Sequence, residues 1–135
     1  FQDGTFMSQS YLEETTAPTE SQCATVSSIL ARVGDKWSVQ TIVLLDKEKK
    51  RFSDLKRGIP NISQKMLTST LRSLERDGLV KRTVYPTVPV KVEYELTELG
   101  YSLWSVVDAL GQWSIHNVNK IIEARQQFDH TNREN

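Results

Sequence analysis

The segment Pro60–Gly78, PNISQKMLTSTLRSLERDG, constrains the fold of this chain more than any other stretch. It reads as one amphipathic helix with both ends marked. Ser63 is a suitable N-cap, because its hydroxyl can accept from the unpaired N–H groups of the first turn. Ile62 and Leu67 bracket that cap as a hydrophobic staple. Gly78 can take the left-handed conformation that ends a helix. Leu67, Leu71 and Leu74 fall at i, i+4 and i+7 and share one buried stripe. The opposite face carries Gln64, Lys65, Thr68, Ser69, Arg72 and Arg76, with no carboxylate before Glu75. Amides, hydroxyls and cations in that array suit phosphates and base edges. A plain solvated face has a similar composition, so the flanking segments decide.

Before this helix, SDLKRGI reads as a short helix capped by Ser53 that buries Leu55 and Ile59, and Gly58, Pro60 and Asn61 mark a turn. Two helices across a tight turn, the second with a polar and basic face, make a helix-turn-helix. After Gly78 the period changes to two. Leu79–Tyr85 reads as one strand, and Val90, Val92, Tyr94 and Leu96 alternate with Lys91, Glu93 and Glu95 in another. The intervening Pro86-Thr87-Val88-Pro89 cannot join a ladder and stiffens the tip. A hairpin placed directly after a helix-turn-helix is a wing.

Upstream, residues 1–20 are polar and aperiodic and read as a mobile arm, with 1–6 an appended segment and Met7 the natural start. A helix from about Ser21 to Val33 has Val26, Ile29, Leu30 and Val33 on one stripe and Gly34 as its stop. Asp35 opens a second, DKWSVQTIVLLDKE, with Trp37, Thr41, Leu44 and Leu45 on one side and Ile42 and Val43 widening the apolar arc. Lys47–Arg51 is a basic turn, and Phe52 a short strand or core anchor. Downstream, Thr97 caps a long helix with Leu99, Leu103, Val106, Val107, Leu110, Trp113, Val118, Ile121 and Ile122 on its apolar side. It reaches about Phe128, roughly 45 Å at ~1.5 Å per residue. A domain this small cannot cover it alone, and Trp104 falls off the main stripe. A two-fold homodimer is the economical solution, with Trp104, Val107, Leu110, Trp113, Val118 and Ile121 at the interface. The fold expected is α+β, mostly α: a winged helix-turn-helix with a two-stranded wing (21–98), a C-terminal dimerisation helix (99–128) and a tail (129–135).

The 135 residues suffice for one domain with a real core. One cysteine excludes an intrachain disulfide framework, and no apolar run approaches a membrane span, so a cytoplasmic setting is expected. The net charge of zero is unevenly spread. Lys47 to Lys91 holds 12 Lys+Arg against 4 Asp+Glu, and the remainder 5 against 13. A local basic footprint is what a nucleic-acid partner requires.

The motifs Val33-Gly34-Asp35-Lys36-Trp37, Arg51-Phe52-Ser53-Asp54-Leu55, ISQKMLT at 62–68, LRSLERDGLV at 71–80 and VYP-x-VP-x-x-VEYELT at 84–97 resemble the HxlR-type winged-helix transcriptional regulators, relatives of the MarR-like group. The resemblance runs from about Cys23 to Trp113. It departs from the family pattern at Asp35, where a glycine is expected, and near Thr25. It implies a dimeric DNA-binding regulator, often a repressor, with the helix at Ser63–Asp77 in the major groove and the hairpin tip near the minor groove or backbone.

The expected DNA contacts are Gln64, Lys65, Thr68, Ser69 and Arg72, with Gln64 suited to adenine and Lys65 or Arg72 to guanine or phosphate. Ser63 and the helix N-terminus suit a phosphate. Lys91, with Arg82 and Lys81, would contact phosphate from the wing, and Lys49, Lys50 and Arg51 a flanking phosphate. A dimer sets its recognition helices ~34 Å apart and selects a roughly palindromic operator. Cys23 lies near a helix start capped by Ser21, where a thiolate is favoured. The resemblance implies that some members with a cysteine there sense electrophiles or oxidants. A small structural residue is the other reading. A small ligand at the dimer interface, or between the long helix and the core where Trp37, Trp104 and Trp113 could line a pocket, and a winged helix used for protein contacts also stay open. His116 and His130 have no metal or triad spacing with Cys23, and no phosphate loop or carboxylate dyad is present, so no catalytic residue, metal or cofactor is expected.

Overall fold

The computed structural model describes residues 17–134, and the chain divides into two units after Gly34. The arm expected over 1–20 lies outside the described residues as far as residue 16. The first unit holds α1, Glu20–Gly34. Its cap is Thr19 rather than Ser21. The Thr19 hydroxyl oxygen accepts from the Gln22 N–H at 3.2 Å, and the Gln22 side-chain oxygen accepts from the Thr19 N–H at 2.9 Å. That reciprocal pair is a capping box. The expected buried stripe is a correction as well: α1 buries no residue, and Val26, Ile29 and Leu30 are exposed.

The second unit runs α2 (Lys36–Leu44), α3 (Phe52–Gly58), α4 (Gln64–Arg76), β1 (Val80–Tyr85), β2 (Lys91–Leu96) and α5 (Glu98–Glu134). Asp35 caps α2, its carboxylate accepting from the Trp37 and Ser38 N–H groups and from the Ser38 hydroxyl at 2.7 Å. The Thr41 hydroxyl donates to the Trp37 carbonyl at 2.7 Å. Both buried hydroxyls are thus satisfied, as burial requires. α2 ends at Leu44 rather than near Glu48, because the chain turns at Lys47 with φ of 61°. Val43 stands exposed, outside the apolar arc expected for it.

Phe52 opens α3 instead of forming a strand, and Ser53 lies inside the helix. The cap position belongs to Arg51, whose N–H donates to the Asp54 carboxylate at 3.2 Å. Lys50 is more than a turn residue. It exchanges backbone hydrogen bonds of 3.0 and 2.8 Å with Tyr94, which adds a one-bridge third strand to the hairpin. The core joins Ile42 and Leu45 of the α2 end, Leu55, Ile59 and Ile62, then Leu67, Leu71 and Leu74 of α4, and closes with Leu79, Val80 and Leu96 of the hairpin base. Each such buried side chain contributes about 1.5–3 kcal/mol of transfer free energy.

α5 starts against the end of α4. The Thr97 N–H donates to the Leu79 carbonyl, and the Thr97 hydroxyl accepts from the Gly100 N–H. A Cβ on Gly100 would lie 2.2 Å from the Leu79 carbonyl oxygen, so only glycine allows this approach. Further along, the Tyr101 hydroxyl accepts from the Lys47 N–H at 2.9 Å and fixes the α2–α3 turn. Trp104 packs against the core with Tyr101 and Leu103, which corrects its placement off the apolar stripe. The helix runs past Phe128 for 37 residues in all, about 55 Å at ~1.5 Å per residue. Among the described residues, no helix is long and apolar enough to cross a membrane.

Candidate nucleic-acid interface

α4 is held from one side only. Leu67, Thr70, Leu71 and Leu74 are buried, and the Ser63 hydroxyl oxygen accepts from the Met66 N–H at 3.0 Å. The tight turn before it is set by Asn61 at φ of 66°, a conformation asparagine tolerates well. Gly78 at φ of 76° ends the segment. The face left outside brings together Gln64, Lys65, Thr68, Ser69, Arg72, Ser73 and Arg76 around one shallow open depression.

The chemistry of that face follows from what its groups already do. The Ser63 oxygen is committed to the cap, but its hydroxyl proton stays available to a phosphate. The Thr68 hydroxyl donates to the Gln64 carbonyl at 2.8 Å. Thr68 therefore faces outward with oxygen lone pairs and a methyl, suited to a base amino group or a thymine methyl. Among the described residues, Lys65, Arg72 and Arg76 have no ion-pair partner.

The wing separates its cations by strand parity. Antiparallel pairing sets Val80 opposite Leu96, Arg82 opposite Tyr94, and Tyr85 opposite Lys91. Side chains alternate faces along each strand, so Arg82 and Tyr94 share the face that also carries the buried Val80 and Leu96. Lys81, Thr83, Tyr85, Lys91, Glu93 and Glu95 occupy the other. Lys91 Nζ lies 3.8 Å from Glu93 and 5.1 Å from the Tyr85 ring centre. A hydrogen bond to Glu93, with smaller help from desolvation and the Glu93 charge, holds the Tyr85 phenol above its ordinary pKa. Lys49 reaches Glu95 at 3.7 Å and Lys50 reaches Glu48 at 3.1 Å. The tip, from Pro86 to Val90, carries no charge; it is ordered by Thr87 donating to the Tyr85 and Pro89 carbonyls, and Val88 is fully exposed.

Arg82 meets α4 in a recess lined by Phe52, Thr68, Leu71, Arg72, Glu75, Arg82 and Tyr94. Sequence reasoning named Arg72 and Arg82 separately. Their convergence with Glu75 depends on the hairpin register and was not legible locally.

The remaining candidates lie apart from this face. Cys23 is an exposed free thiol in the first turn of α1, and its N–H donates to the Thr19 carbonyl. On α5, Val107 is buried, Ile121 is half-buried, and Leu110, Trp113 and Val118 are exposed. Trp113, Ile121, Ala124 and Phe128 with their polar neighbours line a shallow groove along this helix. Among the described residues, no group of three or more His, Cys, Asp or Glu side chains could hold a metal ion.

Comparison with known proteins agrees with the fold. Residues 32–122 match the model of a family described as HxlR-like helix-turn-helix. An uncharacterized HTH-type transcriptional regulator, YtcD of Bacillus subtilis (strain 168), is 48% identical over 96 residues, which cover 71% of this chain and 76% of that protein. The structure of a putative transcriptional regulator, ytfH from Salmonella typhimurium, superposes with a TM-score of 0.68 at 39% identity, covering 75% of this chain and 90% of that one. The redox regulator HypR in its reduced form superposes with a TM-score of 0.66 at 41% identity, covering 74% and 98%.

Proposed function

Because the chain belongs to the HxlR-like helix-turn-helix family of transcriptional regulators, we propose that it acts as a homodimeric repressor that reads a roughly palindromic operator with α4. The observation that carries this is the outward face of α4, where Lys65, Arg72 and Arg76 project around Gln64, Thr68 and Ser69 without ion-pair partners among the described residues. Gln64 is suited to adenine, Lys65 and Arg72 to guanine or phosphate, and Thr68 to a thymine methyl or a base amino group. Ser63 and the first turn of α4 receive a phosphate. Arg82 contacts the backbone from the wing. Lys91 lies on the opposite strand face, 3.8 Å from Glu93, which competes with phosphate for it. Selection of duplexes from a random pool, followed by gel shift, tests the proposal. An enriched inverted repeat with half-sites one helical turn apart supports it, and failure to enrich any sequence contradicts it.

The dimer rests on α5. Leu110, Trp113 and Val118 are exposed along it, and Ile115, Ile122 and Phe128 extend the apolar surface. A second copy related by a two-fold axis covers such a face with its own equivalent. Of the residues expected at that interface, Val107 is buried and Trp104 partly buried within the single chain. Occupying a promoter with such a dimer excludes polymerase, and a reporter gene downstream of the selected site checks the sign of regulation.

A second reading concerns control. The exposed thiol of Cys23, in a chain similar to a protein named as a redox regulator, favours a switch in which oxidation or electrophile addition at Cys23 changes operator affinity. Treatment with diamide should release DNA from the wild type and leave Cys23→Ser bound. Equal release from both contradicts the switch. A small ligand between α5 and its partner is the competing form of control, and it predicts release without any thiol reagent.

A further inference from the structure

We propose that Arg72 and Arg82 form one two-armed clamp on a single phosphate, so that Arg72 positions the protein on DNA rather than reading a base. This rests on the duplex-binding function proposed for α4. The two arginines come from different elements, α4 and β1, yet line the same recess. Strand parity turns Arg82 toward α4 and away from the ion-paired face that holds Lys91, Glu93 and Glu95. Neither guanidinium has an ion-pair partner among the described residues. Phe52 and Tyr94, both half-buried and packed on the core, line the same recess. Two arginines lining one recess concentrate positive charge there, only partly offset by the Glu75 carboxylate, and so favour an anion. Planar guanidinium forks match phosphate oxygens in pairs. Thr68, whose own proton is committed to the Gln64 carbonyl, offers its methyl rather than a donor at the recess edge. Glu75 lines the same recess without pairing to either arginine. Its carboxylate opposes an incoming anion and so weakens the clamp.

The phosphate could belong to the DNA backbone or be free in solution, and the test separates the two. The probe is a duplex that the wild-type protein selects from a random pool. Its binding is measured for wild type, Arg72→Ala, Arg82→Ala, the double variant and Glu75→Gln, with circular dichroism confirming the fold. Each single arginine variant should weaken binding by about ten-fold. The double variant should lose little more than either single one, as expected for groups that act through one partner. Neutralising one phosphate per half-site as a methylphosphonate should weaken the wild type and leave both arginine variants unaffected, and Glu75→Gln should bind more tightly. Fully additive losses, or no methylphosphonate position shared by the two arginines, would overturn the clamp while leaving α4 as a DNA reader. Inorganic phosphate that binds the recess of the DNA-free protein, while no methylphosphonate position in the duplex weakens binding, would also overturn it, since the recess would then hold free phosphate and not the DNA backbone. Should the wild type select no duplex at all, the DNA-binding function itself fails and the clamp with it.

Discussion

The Thr97 hydroxyl donates a 2.6 Å hydrogen bond to the main-chain carbonyl of Gly78. Gly78 follows α4 and Thr97 begins the long helix, so this bond joins the proposed DNA-reading element to the proposed dimer element. The same Thr97 oxygen accepts from the Gly100 N–H at 3.0 Å and caps α5. Thr97→Val keeps the shape and removes both interactions. We expect a loss of about 1–2 kcal/mol in urea unfolding, the usual size for a lost cap and hydrogen bond. An unchanged midpoint would show that the junction is held by packing alone.

Gly100 makes the neighbouring contact. A methyl group there would lie 2.2 Å from the Leu79 carbonyl oxygen, which is backbone and cannot rotate away. Gly100→Ala should therefore cost about 2–3 kcal/mol, as overpacking does, despite the better helix propensity of alanine. Thermal unfolding compared with wild type checks this, and a stabilised variant would refute the close approach.

Much of this junction could be anticipated, and the reasons differ by residue. Ser63, Leu67, Leu71, Leu74 and Gly78 belong to one helix and its two flanks, where caps and periodicity are local signals. Thr97 and its position before α5 were legible for the same reason. The cap of α1 was misplaced because Ser21 looked suitable by type, although the T-x-x-Q pattern of Thr19 and Gln22 was present in the sequence. Ser53 misled similarly, because the Asp54 carboxylate reaches back to the Arg51 N–H and starts α3 earlier. The Lys50–Tyr94 bridge and the Tyr101–Lys47 bond join residues 44 and 54 positions apart, and no local pattern encodes them. The end of α5 was set too early because nothing after Phe128 supplies a glycine or proline stop.

The strand register separates two wing cations that composition alone treats alike. Arg82→Ala should weaken binding to a selected duplex by ~1–3 kcal/mol and lower the slope of log Kd against log salt by about 1. Lys91→Ala should change affinity by less than ~0.5 kcal/mol, because Glu93 already holds that ammonium on the other face. Fluorescence anisotropy on one labelled duplex compares the two, and a larger effect at Lys91 would reverse the assignment.

Tyr85 supplies a pH prediction. Its phenol is raised above the ordinary 10.0, first by the hydrogen bond to Glu93. A raised folded-state value means that the contact's stabilisation is present below the unfolded pKa and is lost as pH rises through the folded one. Absorbance titration should find the Tyr85 phenol ionising above the ordinary 10.0, and Glu93→Gln should bring it down. A midpoint that does not move with Glu93→Gln would remove the hydrogen bond from the wing.

The proposed dimer is tested on the exposed part of α5. Leu110→Glu together with Trp113→Glu should convert the protein to monomers in sedimentation equilibrium, because each carboxylate would have to be buried at the interface. Both positions are exposed in the single chain, so the fold should survive. A dimer that persists with these changes would place the interface elsewhere.

The most direct test of α4 as the DNA-reading element is the salt dependence of duplex binding by Lys65→Ala/Arg72→Ala/Arg76→Ala beside wild type. The wild type should bind its selected duplex with a steep dependence, and the triple variant should lose roughly 0.9 in slope for each phosphate contact removed, together with its preference for the selected sequence. The same slope and the same sequence preference in the two proteins would contradict the assignment of that face to DNA.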